Sequence, residues 1–144
     1  MRTVKDILRI KGPDVWSTTS GATVYDALKA MAEKNVGALI VMDADAVVGI
    51  VSERDYARKV ILHGRSSREI QVREIMSTEV YYVRPEQNIQ ECMALMTEKR
   101  VRHLPALEHD QLVGIISIGD VVKAVIADHE STIKHLENYI TGGR

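Results

Sequence analysis

The chain has 144 residues, room for one compact domain, with 45% apolar and 27% charged side chains, an ordinary globular balance. Lys plus Arg come to 19 and Asp plus Glu to 20, a net charge of −1. That balance offers no overall field to a polyanion, which argues against nucleic-acid binding as the main activity. Apolar runs are too short to span a bilayer, and residues 1–6 lack the apolar core of a secretory signal. The single cysteine, Cys92, has no internal disulfide partner and fits a reducing compartment. A cytoplasmic location is the expectation.

In chain order, Val4-Lys-Asp-Ile-Leu8 reads as a short lead-in helix, followed by a loop around Gly12-Pro13 and a first strand over 17–22. Val24, Ala27, Leu28 and Met31 recur at helical spacing behind the N-cap candidate Thr23. Residues 38–42 and 47–51 read as short buried strands split by Asp43-Ala-Asp45, with a helix over 54–63. The pattern then repeats. Residues 15–61 map onto 80–126 at an offset of 65 without a gap, matching Val48-Gly-Ile-Val-Ser-Glu-Arg-Asp55 to Val113-Gly-Ile-Ile-Ser-Ile-Gly-Asp120. The lead-in matches Val72-Arg-Glu-Ile-Met76 at an offset of 68.

The second copy has Asn88 as N-cap, a helix with Ile89, Cys92, Met93 and Met96 inside, strands over 104–107 and 112–117, and a helix over 119–128. Each copy is strand, helix, strand, strand, helix, and two copies packed together cover both faces of the small sheets. The boundaries are 4–63 and 72–128 inside one 1–144 module, with a helical tail over 129–144. In the tail Ile133, Leu136 and Ile140 form a narrow apolar stripe, ended by Gly142-Gly143.

No catalytic constellation is visible. His63, His103, His109, His129 and His135 lack the spacing of a zinc site, and there is no nucleophile elbow, phosphate loop or dinucleotide fingerprint. Cys92 takes the place of Ala27 on a core-facing helix position and reads as a small buried hydrophobe. The aligned aromatics Trp16 and Tyr81 read as closing the core, while Tyr56 flanks Asp55 at the edge of the repeated motif.

The polar feature that repeats is Ser-x-x-Asp where a strand turns into a helix: Ser52 with Asp55, Ser117 with Asp120. Two chemistries fit that spacing. Hydroxyl and carboxylate can satisfy orphan helix N–H groups as a capping box. The same turn can bind phosphate at the helix N-terminus while the carboxylate accepts ribose hydroxyls.

The tandem unit, its two Gly-h-h-Ser-x-x-Asp segments and Arg102-His-Leu-Pro-Ala resemble the cystathionine-β-synthase (CBS) domain pair, or Bateman module, over almost the whole chain. The likeness is to short stand-alone CBS-pair proteins. It implies an α/β fold of the α+β kind, two CBS motifs of β-α-β-β-α units packed with pseudo-two-fold symmetry. It also implies adenosine ligands (AMP, ADP, ATP, NAD or S-adenosylmethionine) in clefts between the copies. By that resemblance Asp55 and Asp120 hold ribose, and Ser52, Arg54, Ser117 and Arg102 hold phosphate. Thr18, Ala22, Val36, Gly37 and Ala38 line one cleft for adenine. Val80, Tyr82, Val83, Pro85, His103, Leu104, Pro105, Ile116, Ile118 and Gly119 line the other. Arg102 and His103 replace Gly37 and Ala38, and Gly119 replaces Arg54, so the two sites differ in charge. Arg58 and Lys59 read as solvated surface. The resemblance points to a non-enzymatic nucleotide sensor, without a metal or catalytic cofactor, that forms a homodimer and acts on a separate protein. An enzyme hydrolysing NAD or ATP and a purely structural dimerisation module are the alternatives.

Overall fold

The computed structural model describes residues 2–12 and 14–140; Pro13 and the Gly142-Gly143 stop lie outside them. Its elements are α1 (Val4–Lys11), β1 (Ser17–Thr18), α2 (Val24–Lys34), β2 (Ala38–Asp43), β3 (Ala46–Ser52) and α3 (Glu53–Lys59). Short 3-10 turns follow at Ile61–His63 and Val72–Glu74, then α4 (Ile89–Lys99), β4 (His103–Glu108), β5 (Gln111–Ser117) and α5 (Ile118–Ile140). The fold is mixed α/β with two small sheets.

The repeat is visible in backbone detail. β2 and β3 form an antiparallel hairpin with an irregularity between Val41 and Met42, and β4 and β5 do the same between Ala106 and Leu107. Each break lies beside a residue paired with glycine, Val41 with Gly49 and Ala106 with Gly114. The expected N-caps form: Thr23 Oγ1 accepts from Asp26 N at 3.1 Å, and Asn88 Oδ1 accepts from Glu91 N at 2.9 Å. Both helices end on a left-handed residue, Asn35 or Arg100, each with φ 55°.

Two sequence expectations change. The first strand of the second copy shrinks to one bridge, Val83 to Ala106, because Pro85 has no N–H with which to extend the pairing. The tail is not a separate helix. With no Pro or Gly between Asp120 and Ile140 to stop it, α5 runs on for 23 residues.

The chain divides into two compact units whose boundaries are not those of the repeat. One is Asp14–Tyr81; the other joins the N-terminal helix to everything from Tyr82 onward. The lead-in segments are therefore exchanged. In the discontinuous unit Val4 N donates to Gln87 O (2.8 Å), Lys5 N to Pro85 O (2.9 Å) and Ile89 N to Arg2 O (3.1 Å). The continuous unit has the matching set: Val72 N to Ala22 O (2.8 Å), Arg73 N to Ser20 O (2.9 Å) and Val24 N to Ile70 O (2.8 Å). Each unit buries its own core. Val24, Met31, Leu39, Val51, Val60 and Ile75 are enclosed in the continuous unit, and Val4, Ile89, Cys92, Leu104, Ile116 and Val121 in the other.

The exchange depends on the strand glycines. A Cβ on Gly114 would lie 2.5 Å from a Leu8 methyl; one on Gly49 would lie 2.7 Å from Ser77 O and 2.9 Å from Met76 Sδ. Leu8 and Met76 are the equivalent lead-in residues, so each glycine makes room for the lead-in that seals its strand. Gly49→Ala meets backbone and is expected to destabilise the fold by about 1–3 kcal/mol, as overpacking does. Gly114→Ala meets only the end of a flexible side chain and should cost less. Urea unfolding of both variants tests the order, and equal losses would contradict it.

Candidate functional site

Both Ser-x-x-Asp turns are capping boxes. Ser52 ends β3 in extended conformation (φ −131°) and opens α3: Ser52 N donates to Asp55 Oδ2 at 2.9 Å and Asp55 N to Ser52 Oγ at 3.1 Å. Ser117 and Asp120 do the same at the start of α5, at 2.8 Å and 3.2 Å. The neighbouring strand joins each turn. Glu53 N donates to Gly37 O (3.0 Å) and Ala38 pairs with Ser52; Ile118 N donates to Arg102 O (2.9 Å) and His103 pairs with Ser117. Gly37, Ala38, Ser52 and Asp55 thus come together in one unit, and Arg102, His103, Ser117 and Asp120 in the other.

Each carboxylate also holds a lysine. Lys59 Nζ lies 3.3 Å from Asp55 Oδ1 and donates to Ile75 O at 2.8 Å. Lys59 is thus not simply solvated surface; its i, i+4 spacing from Asp55 is the signal that finds it. In the other unit Lys11 Nζ reaches Asp120 Oδ2 at 2.7 Å and Ile115 O at 2.8 Å. Lys11 stands 109 residues away in the sequence, and no local pattern points to it. Burial raises the Asp120 pKa, but the Lys11 ammonium and the Ser117 N–H outweigh it and hold the carboxyl below its usual value.

The apolar candidates divide by exposure. Ala38, Val83, Leu104, Pro105 and Ile116 are buried, as is Pro85, so their side chains belong to the cores and any surface they offer is backbone. Thr18 pairs with Val41 at the sheet edge, and Ala22 and Val80 are half-buried. Arg54, Arg102, Tyr82, Ile118 and Gly119 are exposed, and Val36, Gly37 and His103 partly so. Trp16 does not close a core: it is 37% exposed under the Lys34 ammonium, 4.3 Å from the ring centroid. Tyr56, beside Asp55, packs on the core of its unit. Cys92 is fully buried, and that burial, helped by Glu91, pushes its thiol up to about 11.

An open cavity of about 470 Å³ adjoins Asp120 between α1 and α5, lined by Arg2, Lys11 and Lys123 together with Ile7, Ile10 and Ala124. In the other unit about 520 Å³ opens beside Val36, Gly37 and Glu53. A larger groove of about 800 Å³ along α1, α4 and α5 touches none of the predicted site residues. Among the described residues no cluster of three His, Cys, Asp or Glu could hold a metal, and no helix is long and apolar enough to cross a membrane.

The CBS-domain family model matches residues 4–62 and 72–127. The CBS domain-containing protein CBSX3, mitochondrial, of Arabidopsis thaliana is 42% identical across 98% of this chain and 73% of its own length. YhcV of Bacillus subtilis, also named a CBS domain-containing protein, is 31% identical over 84% of each. A solved CBS-domain structure from Burkholderia ambifaria superposes with a TM-score of 0.84 at 56% identity, covering 88% of this chain and 95% of that one. Two copies of the domain, each with its strand-to-helix turn, place the molecule among the tandem modules. The chain belongs to the CBS-domain family and carries two copies of the domain in tandem. CBS pairs as a class are regulatory or sensor modules that bind adenosine ligands, and the stand-alone proteins are typically regulatory instead of catalytic.

Because the folded Asp120 pKa is depressed, its contribution to stability is complete above the ordinary value of 3.8 and is lost as pH falls through the folded value. The stability gap between the native chain and Asp120→Asn should therefore be widest near neutrality and close below pH 3.8; a gap unchanged at lower pH would refute the ionised cap. Cys92 should resist iodoacetamide at pH 8 until the chain is unfolded, and prompt labelling of native protein would contradict its burial.

Proposed function

We propose that this protein is a regulatory module that binds an adenosine nucleotide of the AMP, ATP or NAD class and acts on a separate protein. Asp55 and Asp120 accept the ribose hydroxyls, and Ser52 and Ser117 meet phosphate at the helix starts, with Arg54 and Arg102 adding charge. The observation that carries this reading is the duplicated turn, where a polar pair at a helix N-terminus recurs beside the first residue of the neighbouring strand. Around Asp120 the cavity walls hold Arg2, Lys11 and Lys123, cations suited to phosphate. Gly119 stands where the other copy has Arg54, so the two sites take phosphates of different charge or extent. Ligand biases the partner only through unequal affinity for the module's alternative states. Self-association fits as well: the chain is 32% identical to a CBS-CP12 protein from bloom-forming cyanobacteria described as hexameric, at a TM-score of 0.76, and the assembly proposed here is a homodimer.

A structural module is the second reading, supported by both caps being closed by the chain's own hydrogen bonds. Thermal shifts with AMP, ADP, ATP, NAD, NADH and S-adenosylmethionine separate the two. Ligand at about a hundred times its dissociation constant adds about 2.7 kcal/mol, a shift of several degrees. Asp55→Ala and Asp120→Ala should each cost about 1 kcal/mol as lost caps and reduce or abolish the shift. Thr23→Ala, an equal cap loss on α2, should leave the shift intact. No shift across the panel, or a shift that survives both aspartate variants, would return the turns to capping alone.

A further inference from the structure

α5 carries an apolar surface that its own unit leaves uncovered. Its inner face is sealed by Val121 and Ala124, whereas Val122, Ile126, Ile133, Leu136 and Ile140 are 50% to 82% exposed. With His129 these residues occupy positions 122, 126, 129, 133, 136 and 140, alternating steps of four and three. That is a period of 3.5, about 100° round the helix from the buried face, and it makes a seam one side chain wide. A helix docking on the broad core of its own unit needs a wider stripe; a single seam fits a second helix with the same spacing. Beyond Asp128 the need is greater, since residues 129–138 and 140 are all exposed and a helix of about 12 residues is marginal in water without packing.

We infer that α5 pairs antiparallel with α5 of a second copy of this chain. The seam is nearly its own complement when reversed: Val122 meets Ile140, Ile126 meets Leu136 and His129 meets Ile133. Flanking charge selects this direction. Reversal sets Lys123 beside Glu137 of the other copy at both ends, with only the two Glu130 side chains opposed at the centre. Parallel pairing would stack His129 on His129 and bring no opposite charges together at these positions. The pairing does not depend on nucleotide binding, and it assigns a surface to the self-association proposed above.

Sedimentation across about 1 µM to 1 mM reads the pairing directly. The native chain should associate, and Ile133→Glu with Leu136→Glu should raise the dissociation constant at least about a hundredfold, or drop a larger assembly by one step. Both positions are exposed, so circular dichroism of the variant should keep its sheet and core signature. Glu137→Lys should weaken association and addition of Lys123→Glu should restore it. A native chain that stays monomeric, a seam variant that sediments like the native chain, or a monomer that instead floats with phosphatidylglycerol vesicles would each overturn the inference. Nucleotide thermal shifts on the seam variant keep the questions apart: lost association with a retained shift supports the seam and leaves the binding reading standing.

Discussion

The close approach of a lead-in side chain to a strand glycine organises both units. Leu8 sits on Gly114 and Met76 on Gly49, and each contact needs the absence of a Cβ in the middle of a hairpin. Much of the site geometry follows from those seatings. With Met76 in place, Ser77 pairs with Ile50 in both directions (3.0 and 2.9 Å) and closes the outer edge of β3. With Leu8 in place, the next turn of α1 brings Lys11 to Ile115 O and Asp120, so a cation takes up the corresponding strand edge. The same segment thus becomes a backbone bridge in one unit and an ion pair in the other.

Most of the elements were legible in the sequence because they obey local rules. Thr23 and Asn88 cap as their spacing requires, the apolar periods of 24–31 and 89–96 match the buried helix faces, and the hairpins fall on either side of the polar turns. The offset of 68 revealed two equivalent lead-ins but could not say which copy each would join, since similarity between Leu8 and Met76 carries no information about partner. Long-range pairing hid the Asp120 environment for the same reason. Trp16 misled because ring size suggests burial, while a neighbouring Lys34 lets the ring remain at the surface. At the candidate site, Ser52, Asp55, Ser117 and Asp120 were readable as repeated chemistry. Leu104 and Ile116 were placed at the site's edge when their side chains fill a core.

Capping and the proposed binding are compatible instead of exclusive, because the serine N–H engages a single oxygen of each carboxylate. A carboxylate already held by the N–H of its N-cap serine would need little reordering to receive hydroxyl donors, and pre-ordering of this kind lowers the cost of binding. The lysine beside each carboxylate adds a difference between the copies: Lys59 belongs to the same helix as Asp55, whereas Lys11 comes from α1. Displacing Lys59 perturbs one turn of one helix. Displacing Lys11 acts on the segment that seals β5, so occupancy of the two turns would be felt by different parts of the chain.

Discontinuity of one unit sets an order of assembly during synthesis. The Asp14–Tyr81 unit has all its strands and its covering turn once residue 81 has left the ribosome, and it can fold as an uninterrupted piece. α1, though made before that unit, has its seat on Gly114 only after β5 has emerged, more than a hundred residues later. During that interval Val4, Ile7 and Leu8 lack the strand that later covers them. Closure of the discontinuous unit waits on β5, and it joins two segments more than a hundred residues apart.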